Sequence, residues 1–106
     1  ENSQRSIHEL NEFITRVKDK NIPLGIVMFP DFVLAEGGVE KYPFDFLFER
    51  VIDACHKYDI KCIDLRPAFA KEKPIDLWVN RFDGHPSVLA NRIAADEILQ
   101  TFNNDW

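Results

Sequence analysis

Leu24-Gly25-Ile26-Val27-Met28-Phe29, closed by Pro23 on one side and Pro30 on the other, is an apolar run with no alternation. Such a run predicts a short strand covered on both faces, the pattern of parallel sheets. Downstream, Ile60-Lys61-Cys62-Ile63-Asp64-Leu65 gives a second strand, ended by Arg66-Pro67. Between the two, Phe44, Leu47, Phe48, Val51, Cys55 and Tyr58 fall at helical spacing after Pro43, which suits a helix's first turn. Strand, crossover helix and strand predict a right-handed unit with parallel strands.

Upstream, Ser6-Ile7-His8-Glu9 reads as a capping box, and Ile7, Leu10, Ile14 and Val17 form one apolar helical stripe that runs to Lys18-Asp19-Lys20-Asn21. Pro30 to Tyr42, with Gly37-Gly38 inside it, reads as a long irregular loop at a strand's C-terminal end, where ligand crevices gather. Leu77-Trp78-Val79 is a third short extended piece, and Pro86 opens a last helix carrying Ala90, Ala94, Ile98 and Phe102 four apart. The expected fold class is α/β, in the order α-β-α-β-α, with helices flanking parallel strands. Two strands make a small sheet, so the chain reads as one half of a doubly wound domain.

Composition narrows the function. At 106 residues the chain has room for one small domain. Lys and Arg number 13 against 18 Asp and Glu, a formal charge of −5, which opposes a nucleic-acid partner because phosphate binding needs a basic face. A hydrophobic content of 45% argues for a folded chain, and no apolar run approaches the ~20 residues of a membrane span. Cys55 and Cys62 sit among apolar residues and are expected as two buried thiols. With His8, His56 and His85 scattered, no zinc signature forms. The chain opens Glu1-Asn2-Ser3-Gln4-Arg5, without Met or a signal-peptide pattern, and is expected to be a piece of something longer.

The chemistry concentrates in Leu77-Trp78-Val79-Asn80-Arg81-Phe82-Asp83-Gly84-His85-Pro86-Ser87. Asp83 and His85 are two residues apart across a glycine, close to a helix start. A carboxylate that accepts the imidazole N–H fixes the tautomer and favours the imidazolium formed in general-base catalysis. The plain alternative is an Asp-Gly turn in which Asp83 caps the helix. Trp78 and Arg81, just upstream, are candidates to line a substrate pocket, with packing the competing role for Trp78. Asp31 stands where sites cluster at a strand's end and otherwise reads as a solvated loop residue.

Three blocks taken together carry a resemblance: Ile22 to Pro30, Tyr58 to Phe69, and Phe82-Asp83-Gly84-His85-Pro86-Ser87 with Ala94-Ala95 in the helix behind it. This ordered set resembles the C-terminal half of the SGNH/GDSL hydrolases, a superfamily of esterases, lipases, carbohydrate deacetylases and acyltransferases on a flavodoxin-like sheet. The resemblance covers nearly all of the chain. Its strand-helix-strand frame is generic, and the Asp-Gly-His-Pro block is the specific part. It implies a partial flavodoxin-like, three-layer α/β/α fold, with residues 1–106 the C-terminal segment of a larger domain. By the same match His85 is the catalytic base and Asp83 its orienting acid. The substrate is a small-molecule or carbohydrate ester, and this chemistry needs no metal or organic cofactor.

The departures are specific. The commoner family spacing puts two residues between Asp and His; here only Gly84 intervenes, as in the branch that includes bacterial polysaccharide O-acetyltransferases. The Gly-Asp-Ser nucleophile block and the Gly and Asn blocks of the oxyanion hole are absent. The only serines are Ser3, Ser6 and Ser87, none at a strand-to-helix elbow. The isolated chain is therefore expected to be inactive. A competing reading is a non-catalytic α/β interaction module, self-associating through an exposed sheet edge. A flavodoxin-like or receiver-type domain fits the frame less well, because no acidic cluster and no phosphate-binding glycine loop is present.

Overall fold

A computed structural model describes residues 2–32 and 42–105; most of the expected loop, residues 33–41, lies outside them. The chain divides into two compact units, Glu1–Ile26 with Phe44–Cys62, and Val27–Pro43 with Ile63–Trp106. Its elements are α1 (Asn2–Asp19), β1 (Gly25–Met28), α2 (Asp45–Lys57), β2 (Lys61–Asp64), a one-turn α3 (Arg66–Phe69), a 3-10 turn (Pro74–Asp76), β3 (Trp78–Asn80), β4 (Asp83–Pro86) and α4 (Val88–Phe102). The fold is mixed α/β, with a small parallel pair, β1 with β2.

In the first unit, α1 and α2 pack together, and the stripe expected on α1 is its covered side: Ile14 is fully buried. The helix begins four residues before the expected cap. Ser6 lies inside it, its hydroxyl donating to the Asn2 carbonyl at 3.0 Å, and Glu9 accepts from Arg5 at 3.0 Å. Backbone hydrogen bonding in the first turn wins over the capping box, since nothing before Ser6 breaks the helix. α1 and α2 then end alike. Asn21 (φ 55°) and Asp59 (φ 53°) take the left-handed conformation, and Ile22 and Ile60 donate back to the carbonyls of Val17 (3.2 Å) and Cys55 (2.9 Å). Asn and Asp bear that conformation with less cost than branched residues. The Lys18 ammonium also donates to the Tyr58 carbonyl.

The turn at Asp59 has a covalent consequence. Cys55 and Cys62, expected as separate thiols, form a disulfide, because the reversal brings their Cα atoms to 6.3 Å over a separation of seven residues. Closing so short a loop in the unfolded chain is worth about 2.5 kcal/mol in the chain-entropy model. Reduction is therefore expected to lower the urea midpoint by the equivalent of about 2 kcal/mol. Urea unfolding with and without reductant measures it, with the Cys55→Ala/Cys62→Ala protein insensitive to the reductant.

In the second unit the core is aromatic and small-residue in turn. Phe32, Leu65, Phe69, Leu77 and Ala90 are fully buried or within 1% of it, and Phe32 meets Phe69 edge-on with centroids 4.9 Å apart. α3 packs on α4, and on α4 the predicted stripe is the covered side: Ala90, Ala94 and Phe102 are buried and Ile98 is half-buried. Asp64 closes β2: its carboxylate accepts the Arg66 backbone N–H at 3.0 Å and the guanidinium at 2.6–3.0 Å.

Two expectations about strands need correction. β1 and β2 are half-buried over most of their length rather than covered on both faces, as a two-stranded sheet leaves them. The third extended piece does not join them: β3 pairs antiparallel with β4 in a separate two-stranded sheet. The two-residue turn Arg81-Phe82 reverses the chain there, with Asn80 Oδ1 accepting the Phe82 N–H at 2.8 Å. No three-layer arrangement is seen among the described residues. Among the described residues no helix is long and apolar enough to cross a membrane.

Candidate functional site

The Asp83-Gly84-His85-Pro86 block is a strand, β4, and not the start of the last helix. Ser87 starts that helix instead. Its hydroxyl accepts the Ala90 N–H at 3.1 Å and donates to the Asp76 carbonyl at 2.6 Å, while its own N–H bonds Leu77 at 2.9 Å. A serine engaged in both directions as an N-cap is a structural residue. Asp83 is thereby spared from capping and turns to His85.

Two hydrogen bonds join the pair. Asp83 Oδ1 accepts the His85 backbone N–H at 3.0 Å and lies 2.5 Å from His85 Nδ1. The main-chain N–H first, and the ring contact second, hold the Asp83 carboxyl below its ordinary value of 3.8, so it is ionised at neutral pH. An ionised carboxylate cannot donate, so Nδ1 carries the proton of their hydrogen bond. In the neutral ring Nε2 then holds the lone pair. The His85 side chain is 86% exposed and that of Asp83 44%. This is a base held in one tautomer and open to a ligand.

The sign of the Asp83 shift sets a pH effect. A carboxyl depressed by folding stabilises the fold fully above 3.8 and loses that contribution as pH falls through its lower folded value. A carboxyl-carbon NMR titration is expected to place the Asp83 midpoint below 3.8. In His85→Ala the midpoint rises only part of the way back, because the main-chain N–H remains.

An open cleft of about 700 Å³ lies beside the pair, within the second unit. Residues 29–32 and Tyr42 line it together with residues 82–86 and Asn91. The Asp31 N–H donates to the Tyr42 hydroxyl at 2.9 Å, pinning the wall that follows β1. Asp31 thus borders the cleft, as its place after a strand suggested. Phe82, Tyr42 and Asn91 were not legible as lining residues. Phe82 follows from the hairpin turn, and Asn91 from lying one helical turn past the Ser87 cap.

Trp78 and Arg81 stand outside this lining. The Trp78 indole N–H is buried without a hydrogen-bond partner among the described residues, and the Arg81 guanidinium lies 6.0 Å from the Phe82 ring centroid. His56 is exposed on α2, and His8 lies 3.7 Å from Glu12 on α1. Among the described residues no three His, Cys, Asp or Glu side chains gather as metal ligands. No protein-family model matches the chain, and no curated protein or solved structure matches it either.

Proposed function

We propose that Asp83 and His85 are the acid–base pair of a serine-dependent acyl-ester hydrolase or O-acyltransferase of SGNH/GDSL type, and that residues 1–106 form the C-terminal part of its flavodoxin-like, three-layer domain. The observation that carries this is the 2.5 Å contact between Asp83 Oδ1 and His85 Nδ1 on an exposed imidazole that lines a cleft. The half-covered β1–β2 pair supports the structural half of the reading, since parallel strands are ordinarily covered on both faces.

The chemistry follows from the tautomer. His85 Nε2 takes the proton of a serine hydroxyl as its oxygen attacks the ester carbonyl, and Asp83 stabilises the imidazolium that results. The same proton then passes to the departing alcohol as the tetrahedral intermediate collapses. Water, in a hydrolase, or an acceptor hydroxyl, in a transferase, releases the acyl group by the same base. Ser87 is engaged as the helix cap, and Ser3 and Ser6 belong to α1, where Ser3 accepts from Arg50 at 3.1 Å. The nucleophile is accordingly assigned to a segment beyond these residues.

The test is ester hydrolysis by the 106-residue chain and by the native gene product that carries it. The account expects none from the former, and from the latter turnover that His85→Ala removes. Turnover by the short chain that vanishes in His85→Ala would overturn the assignment of the nucleophile. A native product whose hydrolysis ignores that substitution would overturn the role of His85.

A second reading, a non-catalytic interaction or self-association module, draws on the exposed apolar side chains Ile75, Val79, Phe82 and Val88 around the β3–β4 hairpin. Under it, sedimentation shows a concentration-dependent dimer that Val79→Lys dissolves, while His85→Ala changes nothing.

A further inference from the structure

The cleft beside the dyad has a character of its own. Phe82 occupies the β3–β4 turn one residue before Asp83, and it is 93% exposed. Leaving a phenyl ring in water forgoes the stabilisation that burial would return. Phe29, less exposed, presents a second ring to the same cleft, its position fixed against buried Phe69 at 6.1 Å between centroids. No Lys or Arg among the described residues lines the cleft, whereas the Asp83 carboxylate does. The Arg81 guanidinium lies over the Phe82 ring, 6.0 Å from its centroid, and outside the lining.

We propose, building on the acyl-ester reading, that this cleft selects uncharged esters bearing a flat apolar group, which lies against Phe82 while the ester carbonyl stands at His85. Phe82 is then a specificity-determining contact with no part in proton transfer. Ring-on-ring contact is worth about 0.5–1.5 kcal/mol beyond the area it buries. A carboxylate on the same ligand would approach the Asp83 carboxylate across the cleft, where like charges repel.

Acetanilide, the uncharged amide counterpart of phenyl acetate, resists hydrolysis and probes binding alone. Titrated into the 106-residue chain, it is expected to shift the amide NMR signals of Phe82, Gly84 and His85 saturably. Phe82→Ala weakens that binding about five-fold, and Phe82→Trp keeps it. 4-Acetamidobenzoate, the same ring with a carboxylate added, binds at least about five-fold more weakly. Absence of saturable shifts, equal affinity in Phe82→Ala, or tighter binding of the carboxylate that Arg81→Ala abolishes would each overturn the proposal. Binding needs no proton transfer, so this titration reads the Phe82 contact alone. Failure of the Phe82 contact is thereby separated from failure of the base, which hydrolysis by the native gene product reads independently.

Discussion

In the native gene product, His85→Ala is expected to lower kcat for ester hydrolysis by about 10⁴-fold or more, with little change in KM. On β4 the imidazole is the group placed to take the serine proton, because the Asp83 carboxylate is a weak base with a lowered pKa and is engaged with Nδ1. Removing the base leaves the serine hydroxyl protonated at the moment of attack. Asp83→Asn tests the other half of the pair. An amide in place of the carboxylate can offer an N–H to Nδ1 and so favours the tautomer with Nε2 protonated, a loss of about 10⁴-fold in comparable dyads. The two effects are expected to be far from additive, since both variants disable one proton transfer. Stopped or continuous assays of a neutral aryl ester at pH 7 give all three values. A double variant that falls by the product of the single losses would show that Asp83 acts apart from His85.

The second large effect is on stability. Phe69, the last residue of α3, is fully buried and touches two residues of the cleft wall, Phe32 edge-on and Phe29 at a tilt. Phe69→Ala removes a whole ring from a packed aromatic group, at a cost of about 3–5 kcal/mol. For a domain with a total stability of about 5–15 kcal/mol this is a large fraction. Chemical unfolding followed by Trp fluorescence is expected to show it as a midpoint shift at unchanged slope, with a fall in Tm of about 10 °C or more. The cleft suffers with the core, because Phe29 and Phe32 lose the ring they lean on. Phe69→Leu, which keeps most of the volume, is expected to recover much of the loss. A Phe69→Ala protein as stable as the parent would contradict the packing described.

What the sequence made legible follows from which forces are local. Helical periodicity placed α1, α2 and α4 with their covered faces, because burial of Ile14, Cys55, Ala90 and Ala94 follows directly from spacing along one chain segment. The strands β1 and β2 were bracketed by Pro and apolar runs and were found within a residue of each end. What failed depended on pairing. The disulfide needed the reversal at Asp59, whose left-handed conformation no periodicity announces. The start of α1 needed a choice between a side-chain cap and one more helical turn, which differ by little.

The hairpin is the instructive case for the site. Asp83 and His85 were read correctly as neighbours in space, since at a separation of two residues on a strand both side chains share one face. Their setting was not, because Trp78-Val79-Asn80 and Asp83 to Pro86 are too short to show alternation, and pairing between them gives β4 its form. Trp78 and Arg81 were nominated by proximity in sequence, yet the turn at Arg81-Phe82 brings Phe82, and neither of them, into the cleft lining. Ser87 was placed in the helix's first turn and proves to be its cap, a distinction of one residue that decides whether Asp83 is available to His85.

The most direct test of the base assigned to β4 is a long-range ¹H–¹⁵N NMR spectrum of the neutral His85 ring. The account predicts the tautomer with the proton on Nδ1, a strongly downfield Nδ1–H resonance, and a bare Nε2, all lost in Asp83→Asn. A spectrum showing the proton on Nε2, or ring signals indifferent to Asp83→Asn, would contradict it.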